Sequence, residues 1–354
     1  MAIRTLVIDD SISMQRMISS VLESDPDIEV IGTANDAFHA RDQIKALNPD
    51  VITLDIEMPR MNGLEFLERL MKLRPMPVVM ISSHTTQGAD AALSALRMGA
   101  FSCLPKPNMG DENALNEMCE MVKAAAIAAP AIKQKAGTQV AATTNSAPAV
   151  SGQSLANIIP RDVNSPELIA IGSSTGGVEA LETVLQRFPK DCPPTVITQH
   201  MPANFTTSFA NRLDTICAPT ILEAEDNMAL ERGHVYIAPG AVGHLAIKRL
   251  GEFRCYIREG DPCSGHKPSV DILFNSIAKF GNSRISAALL TGMGSDGAKG
   301  MLALKDSGVK TVAQDKATCV VYGMPAAAVK LDAVQEVAPL GDIAEAILIV
   351  KRRK

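Results

Sequence analysis

Two sets of residues in this chain of 354 are of kinds, and at spacings, that can do chemistry. The first is built around a serine. Gly172-Ser173-Ser174-Thr175-Gly176-Gly177 follows the apolar run Leu168-Ile169-Ala170-Ile171 and precedes the helix-like Val178-Glu179-Ala180-Leu181. The pattern G-x-S-x-G in a strand–turn–helix context exposes the central hydroxyl, here that of Ser174, as a nucleophile. A phosphate loop is excluded because the lysine that such a loop needs is absent, and the spacing of a dinucleotide fingerprint is missing. The structural alternative is a tight glycine turn with a capping serine.

A nucleophilic serine needs a base, and the candidates are few. Of six histidines, His39 and His84 lie in the first third of the chain, which leaves His200, His234, His244 and His266. None follows residue 266, so the α/β-hydrolase order of serine, acid and late histidine is hard to build, and a lipase-like fold is disfavoured. His200 ends the strand-like run Thr195 to Gln199, and a parallel neighbour would bring that end beside the Ser174 turn. An acid to orient it stands in Thr291-Gly292-Met293-Gly294-Ser295-Asp296-Gly297, after the apolar run Ile285 to Leu290. The glycines there let backbone amides approach a reacting centre, and the amides near Thr175 and Met293 are candidates for an oxyanion hole.

The second set is acidic. Asp9 and Asp10, Asp55, Ser82 and Lys106 each stand at the end of a short apolar run. In an open parallel sheet those ends share one crevice. Carboxylates converging there repel one another unless a hard divalent cation such as Mg²⁺ neutralises them, so Asp9, Asp10 and Asp55 are candidate metal ligands. Asp55 could then attack a phosphoryl donor and carry the phosphate, with Lys106 pairing to it and the Ser82 hydroxyl donating to it. Asp10 or Ser11 as a plain helix cap is the competing account of that stretch.

The elements that must position these groups are legible as apolar runs. Leu6-Val7-Ile8, Val30-Ile31, Val51-Ile52-Thr53-Leu54, Val78-Val79-Met80-Ile81 and Ser102-Cys103-Leu104 each precede amphipathic text, giving five βα units. Nearly continuous rather than alternating apolar strands indicate a parallel sheet covered on both faces. The expectation is a flavodoxin-like (βα)5 domain over residues 1–123, then a second doubly wound, mostly parallel α/β domain over 165–350. Between them, 124–164 is rich in Ala, Thr, Ser and Pro, and no aromatic residue occurs between Phe101 and Phe188. That composition reads as a flexible linker whose Ala-rich start can extend the preceding helix.

Whole-chain composition narrows the function classes. Thirty-four Lys and Arg against 39 Asp and Glu give a net charge of -5, so there is no basic field to hold nucleic acid. No run of 18 apolar residues occurs and Asp9-Asp10 interrupts any leader-like stretch, so no membrane insertion and a cytoplasmic location are expected. Seven cysteines without a C-x-x-C pair read as reduced, packed thiols.

Taken together the motifs carry two resemblances. Val7-Ile8-Asp9-Asp10-Ser11, Asp55 to Gly63, Ser82-Ser83 and Lys106-Pro107 resemble the receiver domain of two-component response regulators. Gly172 to Gly177, Gln199-His200-Met201-Pro202, Tyr236 to Gly240, Thr291 to Ala298 and Tyr322-Gly323-Met324-Pro325 are similar to the catalytic domain of chemotaxis protein-glutamate methylesterases. In that order the two resemble the CheB family from end to end. The resemblance implies phosphorylation at Asp55 with Mg²⁺, a cis Lys106–Pro107 bond, and a triad falling on Ser174, His200 and Asp296 that needs no cofactor. It implies hydrolysis of glutamyl methyl esters on chemoreceptors and deamidation of receptor glutamines. A chemotaxis histidine kinase would be the phosphodonor, and the unphosphorylated receiver would cover the esterase cleft. A monomer is expected. Lys316 and Ala326 depart from the family pattern at positions where an acid and a base are common. The rival readings are a generic small-molecule serine esterase and a receiver-controlled binding module without catalysis.

Overall fold

The structure, a computed structural model, describes residues 2–82, 86–106, 112–142, 165–203 and 205–350. The chain divides into two compact units, Met1–Ala149 and Val150–Lys354.

In the first unit β1 (Ile3–Ile8), β2 (Ile28–Ala34), β3 (Val51–Asp55), β4 (Val78–Ser82) and β5 (Ser102–Pro105) alternate with α1 (Ile12–Glu23), α2 (Ala37–Leu47), α3 (Gly63–Leu73), α4 (Thr86–Arg97) and α5 (Glu112–Ala142). The sheet is parallel throughout, in the order β2-β1-β3-β4-β5. Every residue of β3 and β4 is buried, as expected where helices cover both faces. The helix starts are fixed locally. Ser11 caps α1 through Met14, Asp36 caps α2 through Phe38 and His39, and Asn62 caps α3 through Glu65, each contributing about 1 kcal/mol. The chain reverses its winding between β1 and β3, and the crevice at that switch is where the acidic residues emerge.

The helix α5 takes up the Ala-rich start of the expected linker. It runs on to Ala142 through Pro130, so residues 124–142 are helical. Ala124, Ala125 and Ala128 are buried, because alanine joins the highest helix propensity to a side chain small enough for close packing. The remainder of the expected linker, 143–164, and the Lys106–Pro107 bond lie outside the described residues.

The second unit holds β6 (Leu168–Ser173), α6 (Gly177–Leu185), β7 (Thr195–Gln199), α7 (Phe205–Ile216), β8 (Thr220–Glu223) and β9 (His234–Ile237). An antiparallel hairpin follows, β10 (His244–Leu250) and β11 (Glu252–Arg258). The chain closes with α8 (Val270–Ala278), β12 (Ile285–Leu289), α9 (Ala298–Asp306), β13 (Lys310–Gln314), α10 (Met324–Lys330), β14 (Glu336–Ala338) and α11 (Leu340–Leu348). Seven parallel strands run in the order β14-β13-β12-β6-β7-β9-β8. The winding reverses at β6, between β12 and β7, so the ends of these three strands define the crevice. Below it, Leu168, Ala170, Tyr236, Phe274, Leu289 and Met301 form part of one buried cluster. All seven cysteines are free thiols. Among the described residues no helix is long and apolar enough to cross a membrane.

Candidate active site

In the first unit, Asp9 follows β1, Asp55 ends β3, Ser82 ends β4 and Lys106 follows β5. Ser11, not Asp10, caps α1, which leaves the exposed Asp10 carboxylate to the crevice. Carboxylate oxygens of Asp9, Asp10 and Asp55 lie within 4.8 Å of one another. Lys106 Nζ donates to Asp55 Oδ2 at 2.8 Å and stands 3.7 Å from Asp9 Oδ2. Asp9 Oδ1 accepts from the Ser11 amide, while its buried Oδ2 has no hydrogen-bond partner among the described residues. Burial, aided by the charge of Asp9, pushes Asp55 up to about 6 against the opposing pull of Lys106. Burial likewise raises Asp9 against the Ser11 amide and Lys106. Burial works against the charge of Lys106, but the bond to Asp55 outweighs it and the lysine is raised. One ammonium therefore does not neutralise the pocket. Three hard oxygen ligands and an orphaned buried carboxylate oxygen fit a hard divalent cation. The Ser82 hydroxyl donates to the Gly88 carbonyl at 3.0 Å.

In the second unit the reversal at β6 assembles the serine, the histidine and the acid. The Ser174 turn is closed by the Gly177 amide donating to the Ser174 carbonyl at 2.7 Å, and Gly176 carries a left-handed φ of 78°. Because β6 pairs with β7 so that Ser173 faces Gln199, His200 emerges beside this turn, its amide donating to the Ser173 carbonyl at 3.1 Å. Gln199 ties the two loops together. Its Oε1 accepts from Ser173 Oγ at 2.6 Å, and its Nε2 donates to the carbonyls of Ser174 and His200 at 3.0 Å each.

Asp296 arrives from the loop after β12 and takes His200 Nε2 at 2.8 Å on its Oδ2. The same carboxylate sits on the start of α8: Ser269 Oγ and the amides of Val270 and Asp271 donate to it at 2.8, 2.7 and 3.1 Å. Burial works against its charge, yet these bonds and the neighbouring imidazole hold Asp296 below the usual carboxylate range. An ionised Asp296 bonded to Nε2 fixes the tautomer, with the proton on Nε2 and the lone pair on Nδ1. Nδ1 is buried and, among the described residues, unpartnered. The Oγ of Ser174, on a half-buried residue, likewise takes no hydrogen bond among the described residues. The strand end thus carries a basic nitrogen and the adjacent turn an unengaged alcohol.

The loop carrying Asp296 also crosses the serine turn. A Cβ on Gly292 would lie 2.3 Å from Met324 Sδ and 2.8 Å from Ser174 Cβ, so only glycine admits the approach. Thr291 Oγ1 donates to the Thr175 carbonyl at 2.9 Å, and the Ser174 amide to the Thr291 carbonyl at 3.0 Å. Met293, on this crossing, is half-buried.

Several contributors carried no assigned role in the sequence. Gln199, Ser269, Thr291 and Gln314, whose Oε1 accepts from the Thr291 amide at 2.8 Å, are buried and polar. For Gln199, Thr291 and Gln314 the signal was a polar residue closing or following an apolar run, which also marks ordinary turns; Ser269 follows no such run. His244 is buried in the support of Ser269, whose amide donates to its Nδ1 at 3.1 Å, while His234 is bonded to its own loop at Arg232.

Comparison with known proteins agrees with this division. Residues 169–347 match the family described as CheB methylesterase, and residues 5–120 match the response regulator receiver domain. The chain is 50% identical over 345 residues to the protein-glutamate methylesterase/protein-glutamine glutaminase of Agrobacterium fabrum, covering 98% of this chain and 95% of that one. It is 51% identical over 348 residues to protein-glutamate methylesterase/protein-glutamine glutaminase 1 of Caulobacter vibrioides, covering 98% and 97%. Among solved structures, the CheB methylesterase catalytic domain of Thermotoga maritima is 39% identical, covers 51% of this chain and 96% of its own, and has a TM-score of 0.49. A receiver domain followed by a parallel α/β hydrolase domain defines a response regulator with an enzymatic output. Within that class, the chain belongs to the CheB methylesterase family.

Proposed function

We propose that this chain is a phosphorylation-regulated protein-glutamate methylesterase that demethylates glutamates of chemoreceptors and deamidates specific receptor glutamines, with Ser174, His200 and Asp296 as its triad. The observation that carries the reading is the His200 ring, held at Nε2 by Asp296 and left with a buried, unpartnered Nδ1 beside the Ser174 turn. A buried polar atom without a partner costs about 1–3 kcal/mol. A serine hydroxyl turning onto Nδ1 would relieve that cost and activate the alcohol at once.

Ser174 Oγ attacks the side-chain carbonyl of the substrate as Nδ1 takes its proton. The tetrahedral oxyanion is met by amides of the crossing loops, for which Thr175 and Met293 are the candidates. The imidazolium, stabilised by Asp296, returns its proton to the leaving methoxy oxygen or amino nitrogen, which departs as methanol or ammonia and leaves an acyl-serine. Water, deprotonated by the same nitrogen, then releases glutamate and restores the serine. An ester and a primary amide run through the same steps and differ only in the leaving group.

In the first unit Asp55 is the phosphoacceptor: one carboxylate oxygen bonds to phosphorus as the donor's leaving group departs. Asp9, Asp10 and Asp55 would hold Mg²⁺, which when bound supplies neutralisation of the negative charge gathered there. Lys106 pairs with the phosphate. Ser82 exchanges its bond to the Gly88 carbonyl for one to a phosphate oxygen, which links the charge at Asp55 to the start of α4. A chemotaxis histidine kinase is the natural donor.

The test is methanol release from methylated receptor with and without a small phosphodonor and Mg²⁺, using wild type, Ser174→Ala and Asp55→Ala. The expected result is phosphodonor-stimulated turnover by wild type, none by Ser174→Ala, and unstimulated turnover by Asp55→Ala. Turnover by Ser174→Ala would dismiss the triad, and stimulation of Asp55→Ala would dismiss the phosphoacceptor.

A further inference from the structure

Within the second unit another imidazole lies against the flat face of His200. The rings of His200 and His266 are stacked, with centroids 3.8 Å apart and planes 18° from parallel. A two-residue turn delivers His266. Cys263 and His266 exchange both backbone hydrogen bonds at 3.0 Å, and the residues between them, Ser264 and Gly265, have left-handed φ values of 53° and 81°. That is the geometry of a type I′ hairpin turn, which leaves little freedom in the position of its flanks. Three residues further on, Ser269 begins the cradle of Asp296. The stretch 263–271 therefore supplies both the surface under His200 and the support of its acid.

A single hydrogen bond from Nε2 to Asp296 fixes one point of the His200 ring but not its plane. Rotation of the ring about that bond would carry Nδ1 away from the serine turn. We propose that His266 is a positioning residue whose ring, packed flat on His200, holds the imidazole plane that keeps Nδ1 directed at Ser174. The inference rests on the triad reading above. The stack works only while His266 is uncharged, because two imidazolium rings at this separation repel. Burial, then the charge of His200, pushes His266 down to about 4, against the opposing pull of Asp296. Among the described residues, His200 and Asp296 are the charged groups that act on it. Its ring is thus neutral at the moment His200 accepts the serine proton.

The experiment uses the full chain with phosphodonor and Mg²⁺, in the wild-type, His266→Ala and His266→Phe forms. Two rates are read: turnover of methylated receptor, split into kcat and KM, and acylation of Ser174 by a fluorophosphonate probe. Thermal unfolding checks that each variant is folded. His266→Ala should lower kcat by about tenfold or more, leave KM within about twofold, and slow labelling in the same proportion. His266→Phe keeps a flat ring without a nitrogen and should recover most of both rates. Wild-type kcat and labelling in folded His266→Ala would overturn the proposal. So would a folded His266→Phe as slow as the alanine variant, since the nitrogen rather than the stack would then matter. Labelling does not depend on the natural substrate: wild type that is labelled but releases no methanol would sink the substrate reading, and the labelling rates would still judge the stack.

Discussion

At the scale of single residues the two sites use carboxylates in opposite ways. Asp296 is buried, yet enough donors surround it that ionisation is favoured; Asp9 and Asp55 are buried with too few, and both are raised. For Asp296 the loss of charge should be costly: Asp296→Asn removes the partner that fixes the His200 tautomer and is expected to lower kcat by roughly 10³- to 10⁴-fold, measured as methanol release. For Asp55 the sign is reversed. Its folded value of about 6 lies above the ordinary aspartate value of 3.8, so it favours folding below pH 4 and that contribution is lost as pH rises through 6. Without divalent cation, Asp55→Asn should match wild type in stability near pH 3.5 and exceed it at pH 7, by at most about 3 kcal/mol. Urea unfolding at the two pH values, repeated with Mg²⁺ to cancel the gain, checks this. Ser174, His200, Asp296, Asp9 and Asp55 were legible in the sequence because each is a reactive residue placed where an apolar run stops. His266 was visible only as one histidine among four, since no spacing tells that a ring will lie flat on another.

At the scale of elements, two helices hold each other's first turns. Asp296, just before α9, receives the amides that open α8, while Asp271, in the first turn of α8, receives the Gly300 amide of α9 at 2.7 Å. The free N–H groups of a helix start and its dipole both favour a carboxylate there. Ser269→Ala removes the cap of α8 and one donor to Asp296, and should cost about 1 kcal/mol of stability together with a fall in kcat, read by urea unfolding and by turnover. Gly292→Ala tests the crossing of the two loops. Its methyl group has Met324 Sδ and Ser174 Cβ in its way, so a loss of about 1–3 kcal/mol and of most activity is expected. The strands were legible as apolar runs, and their parallel order followed from the absence of alternation. The segment 263–271 was not, because it works through backbone amides, a turn and a cap, none of which depends on a distinctive side-chain pattern. The helix α5 outran its expected end because alanine text is ambiguous between linker and helix until packing decides.

At the scale of the whole molecule, one chain joins a charge-sensitive pocket to a hydrolase. Activation of 5- to 150-fold requires a shift of only about 1–3 kcal/mol between covered and open states. If the unphosphorylated receiver restrains the esterase, deleting residues 1–150 should raise basal methanol release, and a truncated enzyme slower than the unphosphorylated chain would contradict restraint. Ser174 and Asp296 also differ in what else rests on them. Asp296 anchors a helix, whereas the hydroxyl of Ser174 holds up nothing among the described residues. If Ser174 is the nucleophile, Ser174→Ala is the quiet way to disarm the enzyme: a full-length decoy expected to keep its fold and to bind methylated receptor without turning it over, suitable for trapping the complex intact.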